Sequence, residues 1–344
     1  MLFRSYTNYA NSSSVKREPH LNQLLDKVEN LISKDSQIID IGCNDGKFLS
    51  HLRDRGFKNL YGLEPASNMS KRAESAGHRV FNSFLNINIA DKIISQTGKF
   101  NCVISRQVLE HVIDLENFGV ALRNLLKSDG FLFLEIPDGQ AYFEGPDYAL
   151  WEEHVNAFSH ETLKNYLLTH GFSTTESYSS LFSGLCLTTV SRLNFPNQSK
   201  KIPIKKTISL FNRWAEIFYE FAKDIQEELQ AFVDTNSRIA LYGVGNRAQF
   251  FLNVLEINDK IFLAIDDDPN KQGKYLPGTS ILVHSREDGL KSLPTGSLLL
   301  LGVNGENENK LIQEISLHKR FIYKSILPPS NNLLNSFKKY SLTN

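Results

Sequence analysis

The segment Asp40-Ile41-Gly42-Cys43-Asn44-Asp45-Gly46 sets two glycines and the polar side chains of Asp40, Asn44 and Asp45 at the end of an apolar run. Glycines at a turn from strand to helix let the backbone come close to a ligand. Their spacing is G-x-x-x-G, not the G-x-G-x-x-G of a dinucleotide fingerprint. No Lys-Ser/Thr pair follows, so the loop is poorly suited to a triphosphate. Glu64 ends the next apolar run, 18 residues after Gly46. An acidic side chain there can accept hydrogen bonds from both hydroxyls of a ribose. Together these residues fit a nucleoside carrying an amino-acid or sulfonium tail. The alternative is an ordinary strand-turn-helix with a tight turn.

A second constellation combines histidine with carboxylate. Trp151-Glu152-Glu153-His154 lies in an aromatic-rich stretch, and His111 lies in Ser105-Arg106-Gln107-Val108-Leu109-Glu110-His111-Val112. Histidine titrates near neutral pH and is the usual general base, and a neighbouring carboxylate can fix its tautomer. Gln107 and His111 are four apart and share one face of a helical segment. The plainer alternatives are a loop-packing role for His154 and a capping or packing role for His111. His20, His51, His78, His160, His170, His284 and His318 form no i,i+4 pair with an acidic ligand set, which predicts packing or surface roles and no metal.

These residues must be held by alternating strands and helices. Leu21, Leu24, Leu25, Val28, Leu31 and Ile32 recur at helical spacing. Strands are expected over 37–42, 59–64, 78–82, 100–105 and 131–136, with helices over 45–56, 66–77 and 115–130 between them. That alternation implies a parallel sheet covered by helices on both faces, with ligands at the carboxyl ends of its strands. From Gly139 to His154 the pattern lapses into a loop. A helix (161–170) and strands near 172–178 and 184–192 then bring the sheet to seven. Residues 194–206 contain two prolines and a basic cluster, and are expected as a linker. An amphipathic helix follows over 207–233. Alternation then restarts, with strands at 238–243, 261–266, 279–283, 296–302 and 321–326.

At 344 residues the chain has the length of two domains. With 38 basic and 38 acidic side chains it lacks the cationic excess of proteins that bind nucleic acid or anionic membranes. No apolar run reaches membrane-spanning length, and the first residues hold no apolar core of signal-peptide length. Cys43, Cys102 and Cys186 lie about 60 and 84 residues apart, which matches neither a CxxC zinc site nor a disulfide framework. A reducing cytoplasmic compartment is expected.

The segments IIDIGCNDGKFL and YGLEPASNM are similar to those of class I S-adenosylmethionine (SAM)-dependent methyltransferases. With QVLEHVIDLENF, WEEHVNAFSHETL, IALYGVGNRAQ and DDDPNKQGKYLPGT, nearly the whole chain resembles the sugar C-methyltransferases, which methylate a carbon of a nucleotide-linked keto-sugar. The resemblance implies a seven-stranded class I methyltransferase (Rossmann-like) α/β domain followed by a second, smaller Rossmann-like α/β domain. Expected boundaries are 1–20 for a substrate-side segment, 21–193 for the SAM domain, 194–237 for linker and long helix, 238–330 for the second domain and 331–344 for a tail.

By the same resemblance, Asp40, Gly42, Asn44, Asp45, Gly46, Glu64, Pro65, Ser83, Phe84 and Arg106 would hold SAM, with S-adenosylhomocysteine (SAH) as product. His154 would be the base, Glu153 its neighbour and His111 a further catalytic residue. Tyr6, Tyr9, Gln107, Trp151 and Arg247 would contact the substrate. Gln107 stands where the family commonly has asparagine, Trp151 where it more often has tyrosine, and Arg247 where it tends to have lysine. Relatives usually begin with a cysteine-rich zinc-binding domain, which these three cysteines do not supply, and their tryptophan-asparagine stretch is here Gly302-Val303-Asn304-Gly305. Gly243-Val244-Gly245 follows a strand in the second half, and Asp266 ends the next. A lone G-x-G is weak evidence for a nicotinamide site, and the resemblance makes it part of a domain that helps hold a nucleotide-sugar. A folded spacer is the alternative. The expected activity is C-methylation of a nucleotide-linked keto-sugar through an enolate, in a dry cleft between the two domains. The alternatives are O- or N-methylation of another small molecule, and a non-catalytic SAM-binding partner protein.

Overall fold

The computed structural model describes residues 19–145, 153–182, 184–194, 203–235, 237–316 and 321–342. These fall into two compact units. The first draws its residues from Met1–Asp138, Glu153–Ser180 and Cys186–Ile204, the second from Gly139–Glu152, Leu181–Leu185 and Lys205–Asn344.

The first unit runs α1 (Pro19–Leu31), β1 (Gln37–Ile41), α2 (Lys47–Asp54), β2 (Asn59–Leu63), α3 (Ser67–Ser75), β3 (Arg79–Phe81), α4 (Ile87–Thr97), β4 (Phe100–Arg106), α5 (Leu115–Leu125) and β5 (Leu126–Pro137). After α6 (Gly139–Glu144), which belongs to the second unit, come α7 (His160–Thr169), β6 (Phe172–Leu181) and β7 (Leu185–Leu193). The seven strands stand in the order β3-β2-β1-β4-β5-β7-β6. Strands β1 to β5 pair in parallel, and β7 runs antiparallel to β5. The order reverses between β1 and β4, and such a reversal opens a ligand crevice at the carboxyl ends.

Both faces of this sheet are buried, which is why its strands read as continuous apolar runs. Ile38, Cys102, Ile104 and Phe133 face one core with Leu24, Leu25 and Val28 of α1 and Leu49 and Leu52 of α2. Ile39, Val103, Leu132 and Leu134 face the other, with Ile93 of α4, Leu122 and Leu125 of α5, and Leu163 and Leu167 of α7. The alternation Ile38/Ile39 and Cys102/Val103 is the two-residue period of a strand.

The second unit continues with α8 (Lys205–Asp234), β8 (Ile239–Tyr242), α9 (Asn246–Val254), β9 (Ile261–Ile265), β10 (Val283–His284), α10 (Arg286–Ser292), β11 (Leu298–Leu301), α11 (Gly305–Ile315), β12 (Ile322–Ser325) and α12 (Asn335–Tyr340). Its strands pair in parallel in the order β10-β9-β8-β11-β12. Phe221, Ile225 and Leu229 of α8 recur every four residues and lie fully buried against Ile239, Leu241, Leu298 and Leu300. No helix among the described residues is long and apolar enough to cross a membrane.

Several elements differ from expectation: the helix expected over 115–130 ends at Leu125 and β5 begins at Leu126, and α10 and α12 were not foreseen. Helix α4 was not foreseen between the third and fourth strands. Four of its eleven residues are isoleucine, which lowers helix propensity, but the Asn86 side chain caps it by accepting from the Ile89 N–H at 3.0 Å. Helix α6 forms inside the stretch read as a loop. The strand expected over 279–283 shrinks to β10, because the Tyr275–Gly278 turn folds the chain back. Leu276 and Val283 donate their N–H groups to Ile281 and Lys274 instead of to a sheet neighbour.

Candidate active site

The candidate cofactor residues gather at the carboxyl ends of β1, β2, β3 and β4. Asp40 is the buried penultimate residue of β1. Burial pushes its carboxyl up to about 7, with Glu64 and Glu135 adding to the rise and Arg106 opposing it. Gly42 follows at φ +78°, where a Cβ would stand 2.4 Å from Cγ2 of Val108 in the loop after β4. The two loops meet this closely because Gly42 has no side chain. Asn44, at φ 51°, and Gly46, at φ +80°, complete the turn into α2. The Asn44 side chain accepts from the Asp45 N–H at 2.7 Å, and Asp45 accepts from Lys47 at 3.3 Å.

Glu64 leaves β2 almost fully buried, and burial raises its pKa. Its oxygens accept from the Asn44 N–H at 2.9 Å and the Ala66 N–H at 2.8 Å. A carboxylate has about four lone-pair sites, so two remain for the hydroxyls of a ribose. Pro65 and Asn82 join the ends of β2 and β3, with the Asn82 amide donating to the carbonyls of Glu64 (2.7 Å) and Pro65 (3.1 Å). Ser83 and the exposed Phe84 follow. Close-approach glycines, a buried carboxylate with spare acceptors and an exposed ring suit a nucleoside. Arg106 is held differently: its guanidinium pairs with Glu135 at 3.1 Å and lies over the Phe48 ring. The sequence singled out Arg106 but not the Glu135 that orients it.

A second group lies after β4 and around Glu153. Gln107 sits at φ 53° and directs its amide to the Cys186 sulfur at 3.2 Å. Gln107 precedes the single turn Leu109–His111, so the pair does not share the continuous helix face expected from its spacing. The His111 Nδ1 lies 2.8 Å from the Glu153 carbonyl oxygen. A carbonyl only accepts, so Nδ1 donates and the tautomer at His111 is set. The rings of His111 and His154 meet edge-to-face, centroids 4.8 Å apart. Burial lowers the pKa of both. That of His154 falls to about 4, with His111 adding to the effect, so both rings are neutral at pH 7.

Glu153 thus enters this arrangement through its backbone carbonyl, and its carboxylate charge acts on His111 from nearby, partly opposing the fall in that ring's pKa. The acid beside the rings is Glu110, 2% exposed. Its carboxylate stands 3.9 Å from His111 Nε2, and one atom from each of Glu110, His111 and His154 lies within 4.8 Å of the others. Burial, with a smaller contribution from Glu135, pushes Glu110 up to about 8. Sequence reasoning missed Glu110 because it reads as one more polar residue beside His111. Arg247 lies in the first turn of α9, donating to the Pro328 carbonyl at 3.1 Å. Tyr6, Tyr9 and Trp151 lie outside the described residues.

A family described as a methyltransferase domain matches residues 15–177, and one described as a C-methyltransferase C-terminal domain matches residues 197–309. C-methyltransferase NovU of Streptomyces niveus is 23% identical over 315 residues, 87% of this chain and 74% of that protein. The mitochondrial ubiquinone biosynthesis O-methyltransferase of Bos taurus is 32% identical over 105 residues, only 28% of each chain. Among solved structures, a SAM-dependent methyltransferase from Anabaena variabilis aligns over 52% of this chain and 86% of its own, with 18% identity and a TM-score of 0.44. The magnesium protoporphyrin IX methyltransferase of Synechocystis with bound SAM aligns over 51% and 78%, with 15% identity and a TM-score of 0.38. The strand order, rather than these scores, carries the fold assignment.

Proposed function

The chain belongs to the SAM-dependent methyltransferases that join a methyltransferase domain to a C-methyltransferase C-terminal domain, and from that premise we propose that it methylates a carbon of a nucleotide-linked keto-sugar, with His154 as general base. The observation that carries this reading is the contact of His154 with His111 among the loops of the methyltransferase sheet.

SAM supplies an electrophilic methyl group whose leaving group is a neutral thioether. What remains is to bind donor and acceptor and to make the acceptor carbon nucleophilic. Glu64 accepts the ribose hydroxyls, and the 42–46 turn approaches the cofactor through its glycines. Asp40, Asn44, Asp45, Pro65, Ser83, Phe84 and Arg106 complete that end. A carbon beside a ketone becomes a nucleophile only on losing a proton. His154, neutral at pH 7 through burial, can take it. The Gln107 amide can hold the enolate oxygen that forms, while His111 Nε2, left bare by the proton on Nδ1, can accept from a substrate hydroxyl. Tyr6, Tyr9 and Trp151, and Arg247 in the second unit, are the remaining substrate residues of this reading, with Arg247 suited to a phosphate.

The test is methyl transfer from SAM to a panel of nucleotide-linked 4-keto-sugars. On a confirmed substrate, His154→Ala should lower turnover roughly 100- to 10,000-fold, the usual contribution of a general base, and washout of the α-deuteron should disappear with it. Near wild-type turnover in His154→Ala would remove the base assignment. The match to an O-methyltransferase over 105 residues supports a second reading, methylation of a hydroxyl. That reaction would proceed without any washout of an α-deuteron.

A further inference from the structure

We infer that Glu110 is a positioning residue for the histidine pair: its buried carboxylate stabilises the imidazolium created at His154 when the substrate proton arrives. This rests on the reading of His154 as the base.

Glu110 lies in the single turn Leu109–His111 after β4. Both of its carboxylate oxygens are buried and have no hydrogen-bond partner among the described residues. Buried polar groups are nearly always satisfied, so an exception calls for a cause. The surroundings supply one. Facing Glu110 are His111 and His154, Glu135 of β5 and Cys186 of β7. Glu135 is already paired with Arg106, and burial keeps the Cys186 thiol neutral by pushing its pKa up. The two imidazoles are therefore placed where positive charge can meet this carboxylate.

The need for such a partner follows from His154 itself. Burial has made it proton-free at neutral pH but also a weak base, and catalysis is best served by a base whose pKa lies near the working pH. A negative charge beside the ring restores base strength. In the step, the α-carbon proton passes to a nitrogen of His154 and the C–H pair moves into the enolate. That carbon then forms its bond to the methyl group as the methyl–sulfur bond breaks. His154 later releases the proton to solvent, and Glu110 neither gains nor loses one.

The sign of the pH dependence is set by Glu110. Burial holds its carboxyl neutral until about pH 8, so the stabilising charge is present only above that pH. In the full-length enzyme with saturating SAM, kcat/KM for a confirmed keto-sugar should keep rising through about pH 8. Glu110→Gln should lack that rise and be roughly ten- to a hundredfold slower at pH 9, within the range of general-base effects. In isotope-labelled protein without substrate, the His154 ring resonances should shift near pH 8, and this step should vanish in Glu110→Gln while SAH affinity stays unchanged. Should Glu110→Gln fail to fold, Glu110→Asp serves instead: it should keep the alkaline rise at reduced kcat. An unchanged pH profile and ring titration in the variant would overturn the proposal. So would a divalent ion that purifies at one per chain and takes the alkaline rise with it when chelated, since the three residues would then be its ligands. His154→Ala separates the premise: full activity there removes the base reading, whereas inactivity there with a wild-type profile for Glu110→Gln removes only the role of Glu110.

Discussion

Asp40 is a carboxyl group held inside a sheet, and its environment sets opposite demands on stability and binding. Its folded pKa of about 7 lies above its ordinary value of 3.8, chiefly through burial. A group raised in this way contributes stability below its unfolded pKa and loses it as pH rises through the folded one. Asp40→Asn, which cannot ionise, should therefore melt several degrees above wild type at pH 8, with the gain gone by pH 4. The same variant should bind SAH more weakly. Thermal melts at the two pH values and calorimetry with SAH check both halves. His154 runs the other way: its lowered pKa gives stability above about pH 6.5 that is lost as pH falls through about 4. Residues of the first group were legible because glycines and an acid at fixed distances along the chain express a local geometry. Glu110 was not, because its significance comes from His154, 44 residues away in sequence, and from burial that no local pattern announces.

At the scale of elements, the turn between β1 and α2 is the most constrained. Gly42→Ala would put a side chain at φ +78° and 2.4 Å from Val108. We expect a loss of about 1–3 kcal/mol, combining left-handed strain with overpacking, and weaker SAH binding. Val108→Ala in the same chain should return the overpacking part but not the strain, which denaturant titration of the single and double variants would resolve. The parallel strands were readable because burial on both faces leaves unbroken apolar runs. Helix α4 was not, since its isoleucines favour strand by propensity, and the Asn86 cap together with burial of Ala90 and Ile93 offsets that preference. The shortened β10 shows the converse: the apolar run was present, but a turn claimed its hydrogen bonds.

For the whole molecule, the division of labour between units is open to direct test. Phe337 of α12 packs against Phe221 and Phe251, ring centroids 5.0 and 6.3 Å apart, in the core of the second unit. Phe337→Ala should cost that unit about 3–5 kcal/mol. Below the melting temperature SAH affinity should be unaffected, because the candidate cofactor residues all lie in the first unit; calorimetry alongside a melt would show it. The two-domain plan was visible from length and from the restart of strand-helix alternation. The path of the chain was not. Gly139–Glu152 and Leu181–Leu185 leave the first unit and join the second before Lys205 is reached. In the second unit, Phe143 of α6 meets Phe211 and Trp214 of α8 edge-on at 5.5 and 6.1 Å. This interleaving bears on how such proteins can diversify. A recombination event at residue 204 would look like a clean exchange of one acceptor module for another, yet it would leave Phe143 facing a foreign helix. Genes of this architecture should therefore trade their second halves successfully only when the two short excursions travel with them, or when the incoming helix carries aromatic residues at the same two places.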